Sequence, residues 1–204
     1  LGNYSPINMP MGDYRAQRIS DLIEEESQHD VSSNQKIQLD VYSKQARQFL
    51  DILLPLLRVA HGNHALFIIL ENWDCCYDLK SKGAVVFEAF YSELRHIVFA
   101  NKNHGFSDKV GNYLTQETGI FIDFYQQFDQ VLLNNDSAWY QDTPQEECFV
   151  NAFLSIEQDC LEPNWGEENK LSFVNILLGD KLPQWIGATT LDRKSTRLNS
   201  SHVA

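Results

Sequence analysis

The stretch "GDYRAQRISDLIEEE", residues 12–26, decides how this chain folds. At about 100° per residue, a helix here places Ile19 and Leu22 on one apolar stripe, with polar side chains opposite. Arg15 falls beside that stripe, and Arg18 lies at its border. Burying a guanidinium is costly unless the group is paired and hydrogen-bonded. The pattern therefore predicts that Arg15 meets carboxylates or backbone carbonyls from outside its own helix. The alternative is a side chain that runs along the helix to solvent.

Helical periodicity continues through most of the sequence. The strongest patterns predict helices at 14–26, 84–100, 120–133 and 144–161, and a helical run from Ile37 to Leu57 with bends near Ser43 and at Pro55. Thr143 and Glu146 stand in the arrangement of a capping box at the start of the last helix. Residues 170–178 are the one candidate strand. The sequence thus predicts a mostly α fold.

Composition and charge exclude some classes of partner. The 204 residues are 43% hydrophobic and carry a formal charge of −12, which argues against a nucleic-acid binder because such proteins need a basic face. No apolar run reaches the roughly 18 residues that a membrane span needs. The first residues lack the basic and apolar regions of a signal peptide. We therefore expect neither nucleic acid nor a membrane span.

The end of the chain differs in character from the rest. Residues 192–202, "DRKSTRLNSSH", are basic and polar and have no periodicity. This run is identical to the translation of one reading frame of a widely used sequencing adapter. A natural disordered tail is the alternative. We interpret residues 192–204 as a non-biological tail and residues 1–191 as the protein segment, which we expect to continue beyond Leu191 in its natural form.

The histidines and cysteines do not form a recognisable metal site. His61 and His64 lie three residues apart in "HGNH", without an accompanying carboxylate or cysteine, and the Gly-Asn between them is typical of a loop. The four cysteines, Cys75, Cys76, Cys148 and Cys160, have no C-x-x-C spacing. We expect free thiols and assign no metal.

Several motifs together resemble a known family. They are "GDYRAQRISDLIEEE", "IQLDVYSKQARQFLDILLPLL", "ENWDCCYDLKSKGAVVFEAFYSEL", "SAWYQDTPQEE" and "NWGEENKLSF". In this order and spacing, the sequence resembles the penicillin acylase family of N-terminal nucleophile hydrolases over essentially all of residues 1–191. The resemblance implies an incomplete chain: the helical portion of the β chain, in the half that packs against the family's catalytic αββα layers.

The resemblance also implies a chemistry. Family members mature by self-cleavage, which frees an N-terminal serine whose own amine activates its hydroxyl to attack an amide carbonyl. An asparagine side chain and a backbone N–H stabilise the oxyanion. In the family's order both the serine and the asparagine precede Leu1, so we expect this chain alone to hydrolyse no amide. The expected substrate is a small N-acyl amide, and the expected partner is the missing remainder of the precursor, in the periplasm or outside the cell.

One functional position carries over from the family to this sequence. The first arginine of the family's Y-R-A-x-R-I-like motif matches Arg15, and the resemblance implies that it supports the oxyanion site from behind. Three positions depart from the family: Cys75 follows Trp-Asp where glycine is frequent, and Asn169 and Asn175 replace frequent histidines. Some members bind calcium mainly through other segments, so calcium is expected only in the complete protein.

Two classes of function remain open from the sequence. The first is an amide hydrolase of the penicillin acylase type, of which this chain is a piece. The second is a non-catalytic helical interaction module, or an inactive relative of the family.

Overall fold

The computed structural model describes residues 12–100, 125–156 and 163–168, and these residues are mostly helical. The α-helices are α1 (Tyr14–Glu24), α2 (Val31–Gln38), α3 (Lys44–His61), α4 (Ala65–Glu71), α5 (Lys82–Phe99), α6 (Tyr125–Leu132), α7 (Gln145–Leu154) and α8 (Trp165–Glu168), with a 3₁₀ turn at Ala138–Tyr140. Within the described ranges the only β pairing is an isolated antiparallel bridge between Tyr42 and Cys76. The mostly α prediction is confirmed. None of the described helices is long and apolar enough to cross a membrane.

The helix predictions are largely confirmed, and the differences lie mainly at the helix ends. Helices α1 and α5 begin and end within two residues of the predicted bounds. Helix α6 confirms the described part of the segment 120–133, and the strand at 170–178 lies outside the described residues. The predicted bend near Ser43 is a full break between α2 and α3, whereas Pro55 lies inside the continuous helix α3.

The predicted capping box before α7 is wrong. Pro144 occupies the N-cap position, and no side chain caps the helix. Helix α7 ends at Leu154, with Ser155 as its C-cap, and residues 157–161 of the predicted helix lie outside the described residues. Pro144 has φ −58° and ψ 149°, which is extended rather than helical, so the helix begins after it and Thr143 lies one residue too early to reach the first free N–H groups.

Helix α5 lies at the centre of the described structure. It packs against α7 and α4, and α3 packs against both of these helices. Three buried rings join the three elements: Phe49 of α3 stacks on Phe149 of α7 at 6.0 Å, and Phe90 of α5 meets Phe149 edge-on at 5.7 Å. These contacts belong to the apolar core, and the more polar helices α1 and α2 lie outside it.

Candidate functional site

Arg15 is held by groups from outside its own helix, as the sequence predicts. Its Nη2 donates a hydrogen bond to the carbonyl oxygen of Ile37 at 3.0 Å. Its Nη1 donates to the carbonyl oxygen of Asp40 at 3.1 Å and lies 3.3 Å from the carboxylate Oδ2 of Asp40. The side chain is 18% exposed. Two of its three partners are neutral carbonyls at the C-terminal end of α2, where the helix dipole favours a cation.

Arg18 makes the stronger ion pair with Asp40. Its Nη2 donates to Oδ1 at 2.9 Å, and its Nε lies 3.2 Å from Oδ2, so the contact is two-pronged. Hydrogen bonding to Asp40 raises the pKa of Arg18 above its ordinary value. The guanidinium carbon also lies 4.7 Å from the centre of the Tyr42 ring. The border position of Arg18 predicts that it is more exposed than Arg15, and the difference is small, 21% against 18%, because Arg18 contacts Asp40 and Tyr42.

This cluster of Arg15, Arg18 and Asp40 carries an excess of positive charge. Two guanidinium groups share one carboxylate, which is itself only 13% exposed. Glu25 approaches Arg18 to 3.9 Å, yet its side chain is 62% exposed, and solvent screens such a contact strongly. The three side chains together therefore carry a net charge of +1 in a protein that is acidic as a whole.

The loop after α4 lies next to this cluster. Its bridge to Tyr42 is built from two backbone bonds: the Ser43 N–H donates to the Cys75 carbonyl at 2.9 Å, and the Tyr77 N–H donates to the Val41 carbonyl at 3.0 Å. Cys75 has φ 62°, in the left-handed region. Glycine adopts that region readily, which accounts for the glycine that is frequent in the family at this position.

The two tryptophan motifs are brought together by one tyrosine. Trp73 of "NWD" donates its indole N–H to the Cys76 carbonyl at 2.9 Å and meets the Tyr77 ring edge-on at 5.5 Å. The ring of Trp165 of "NWG" also meets the Tyr77 ring edge-on, with the ring centres 4.9 Å apart. A Cβ on Gly166 would lie 2.9 Å from the Leu79 carbonyl oxygen, so the motif requires glycine for this close approach. Both motifs therefore stabilise the packing of the loop against α8.

The buried cysteines and His64 have structural roles in the described part of the chain. Cys75, Cys76 and Cys148 are free thiols, as predicted, and Cys160 lies outside the described residues. Burial raises the pKa of Cys75 and of Cys148 to about 11, so both stay protonated at neutral pH. His64 caps α4 by accepting a hydrogen bond from the Leu66 N–H at 3.3 Å. The described residues contain no cluster of ligands that could hold a metal ion.

A buried carboxylate that the sequence pattern did not single out joins four helices. Asp129 of α6 is 1% exposed and accepts hydrogen bonds from Tyr14 of α1 at 3.0 Å, from Gln45 of α3 at 2.8 Å and from Tyr91 of α5 at 2.7 Å. Burial raises its pKa to about 6, although the three donors act in the opposite direction. A cleft of about 320 Å³ borders this cluster.

The comparisons with known proteins identify the family. The family model described as penicillin amidase matches residues 2–203. The chain therefore belongs to the penicillin amidase family, a lineage of amidases among the hydrolases. No curated protein and no solved structure matches the chain. The matched range runs through the segment that we interpret as an adapter, so the division at residue 191 stays a prediction. Asn169 and Asn175 lie outside the described residues.

Proposed function

We propose that this chain is the helical part of the β chain of an amidase that hydrolyses a linear N-acyl amide. The nucleophile is the N-terminal serine of the mature β chain, which lies upstream of Leu1. The family match over residues 2–203 is the observation that carries the proposal. The order and spacing of the five sequence motifs support the same assignment.

We assign Arg15 the role of a positioning residue behind the oxyanion site. When the serine attacks the amide, negative charge develops on the carbonyl oxygen, and a fixed positive potential nearby stabilises it. Arg15 suits this role because neutral carbonyls of Ile37 and Asp40 hold it in place while Arg18 takes the better contact with the Asp40 carboxylate. The partners that we propose for the chain are a small N-acyl substrate and the remainder of the precursor. The proposed role of Arg15 involves no cofactor.

The first experiment recovers the natural reading frame on both sides of this segment and expresses the complete precursor. The mature protein is assayed with chromogenic phenylacetyl and long-chain acyl anilides. We expect self-cleavage before a serine and turnover of at least one anilide. An upstream frame without such a serine, or a mature protein that turns over none of these substrates, would favour a non-catalytic helical module or an inactive relative.

The role of Arg15 is tested in that mature enzyme with Arg15→Ala and Arg15→Lys. We expect Arg15→Ala to lower kcat more than it changes KM, by less than the roughly 10²–10³-fold that loss of a direct oxyanion donor costs. Arg15→Lys should recover only part of the activity, because lysine lacks the planar fork of donors. Arg58→Ala is the matched control, since Arg58 forms an exposed ion pair with Glu71. Unchanged kcat in Arg15→Ala would contradict the assignment.

A further inference from the structure

Helix α1 carries the candidate arginine, yet it contributes no fully buried residue to the core. The apolar side chains of α1 are only partly buried, and Ile23 is half exposed. Helix α1 is held to the other elements through polar contacts: the arginines bind Asp40, Asp21 pairs with Lys44 of α3, and Tyr14 binds Asp129. The position of such a helix depends on the direction of a few hydrogen bonds rather than on bulk packing.

The contact between Tyr14 and Asp129 is the one that reaches the interior. The Asp21–Lys44 and Arg18–Asp40 pairs lie at partly exposed positions. Asp129, by contrast, is buried and is fixed by Gln45 from α3 and Tyr91 from α5, two helices that form the core. A hydrogen bond to an ionised carboxylate is about twice as strong as one between neutral groups. The first turn of α1 is therefore tied to a fixed acceptor through a single hydroxyl.

We propose that Asp129 is a positioning residue for Arg15, acting through Tyr14. Tyr14 and Arg15 are consecutive in the first turn of α1, so a displacement of one moves the other by a similar distance. By holding Tyr14, Asp129 fixes the position of α1 along its axis and its rotation about that axis. Both determine whether Arg15 can donate to the carbonyls at the end of α2. The link to catalysis rests on the proposed function, whereas the mechanical link does not.

The mechanical link is tested by amide hydrogen exchange in the complete mature protein. Two variants break the contact between Tyr14 and Asp129. Asp129→Asn changes a buried carboxylate and could prevent folding, whereas Tyr14→Phe removes one hydroxyl, keeps the ring and is expected to fold. We expect exchange of the amides of α1, residues 14–24, to rise by roughly tenfold or more, with α3 and α5 unchanged, as in local opening. Tyr77→Phe is the matched control, because it removes a hydroxyl that donates to Glu88 of α5 and not to Asp129. Unchanged exchange in α1, or an equal rise in all helices, would overturn the proposal.

The catalytic link is tested by a double-mutant cycle. We expect Tyr14→Phe to lower kcat with little change in KM, and to have no further effect in an Arg15→Ala background, because both changes then remove the same support. Additive losses of kcat would show that Tyr14 does not act through Arg15. If the wild-type enzyme turns over no substrate, the proposed function fails, while the exchange experiment still decides the mechanical link.

Discussion

Replacing Asp129 with asparagine tests how much the burial of an ionised carboxylate lowers the free energy of unfolding. Burial raises the pKa of Asp129 from 3.8 to about 6, against the lowering effects of Tyr91, Tyr14, Gln45 and the nearby charge of Arg95. This change in the pKa of Asp129 corresponds to roughly 3 kcal/mol in the free energy of unfolding between the protonated and the ionised forms of the protein.

The sign follows from which state binds the proton more tightly. Because the pKa of Asp129 is raised on folding, its favourable contribution is fully present below about pH 4 and is lost as the pH rises through about 6. Tyr14 and Tyr91 have raised pKa values as well, mainly through burial, and stay neutral in this window. Asp129 is therefore the group of this cluster that titrates between these pH values.

The assay is urea-induced unfolding of the complete protein and its Asp129→Asn variant from about pH 4 to about pH 8. Taking the difference between the two proteins removes titrations that they share. We expect the wild type to lose roughly 3 kcal/mol relative to the variant across this range. Asp51→Asn is the control, because Asp51 is exposed and pairs with Arg47, and it should give a nearly flat difference. A flat or rising difference for Asp129→Asn would refute the reasoning.

Two substitutions test backbone and packing constraints by the midpoint of chemical unfolding. Cys75→Gly should be at least as stable as Cys75→Ala, because the left-handed backbone at φ 62° costs a non-glycine residue about 1–2 kcal/mol; a less stable glycine variant would contradict this. Gly83→Ala should cost roughly 1–3 kcal/mol, since its Cβ would lie 2.2 Å from Cγ of Trp73. Gly12→Ala, with ordinary contact distances, is the control for Gly83→Ala and should be nearly neutral.

Apolar periodicity was sufficient to predict the helices of the core. Helix α5 buries most of its length, and its pattern gave its bounds within two residues because burial on several sides demands apolar residues throughout. Helix ends were less predictable. The choice between Thr143 and Pro144 as the N-cap of α7 depends on backbone geometry at one residue, which composition does not reveal.

The polar partners could not be predicted, because they join distant parts of the chain. Asp129 lies at the edge of the apolar stripe of its helix, and nothing in its own segment indicates that Tyr14, 115 residues earlier, reaches it. The sequence signal for Arg15 was stronger, because a cation beside an apolar stripe requires a partner wherever that partner comes from. Periodicity predicts the need for a partner, whereas tertiary contacts decide its identity.

The identity of that partner bears on what Arg15 can do. Had Asp40 formed its two-pronged contact with Arg15, the pair would be nearly neutral and its electric field on neighbouring groups would be small. Instead Arg18 takes the short contact at 2.9 Å, while Arg15 is held mainly by the carbonyls of Ile37 and Asp40. Carbonyl dipoles fix a guanidinium in place without cancelling its charge. Arg18 thus compensates the carboxylate, and Arg15 keeps a positive charge, which the role that we propose for it behind an oxyanion site would require.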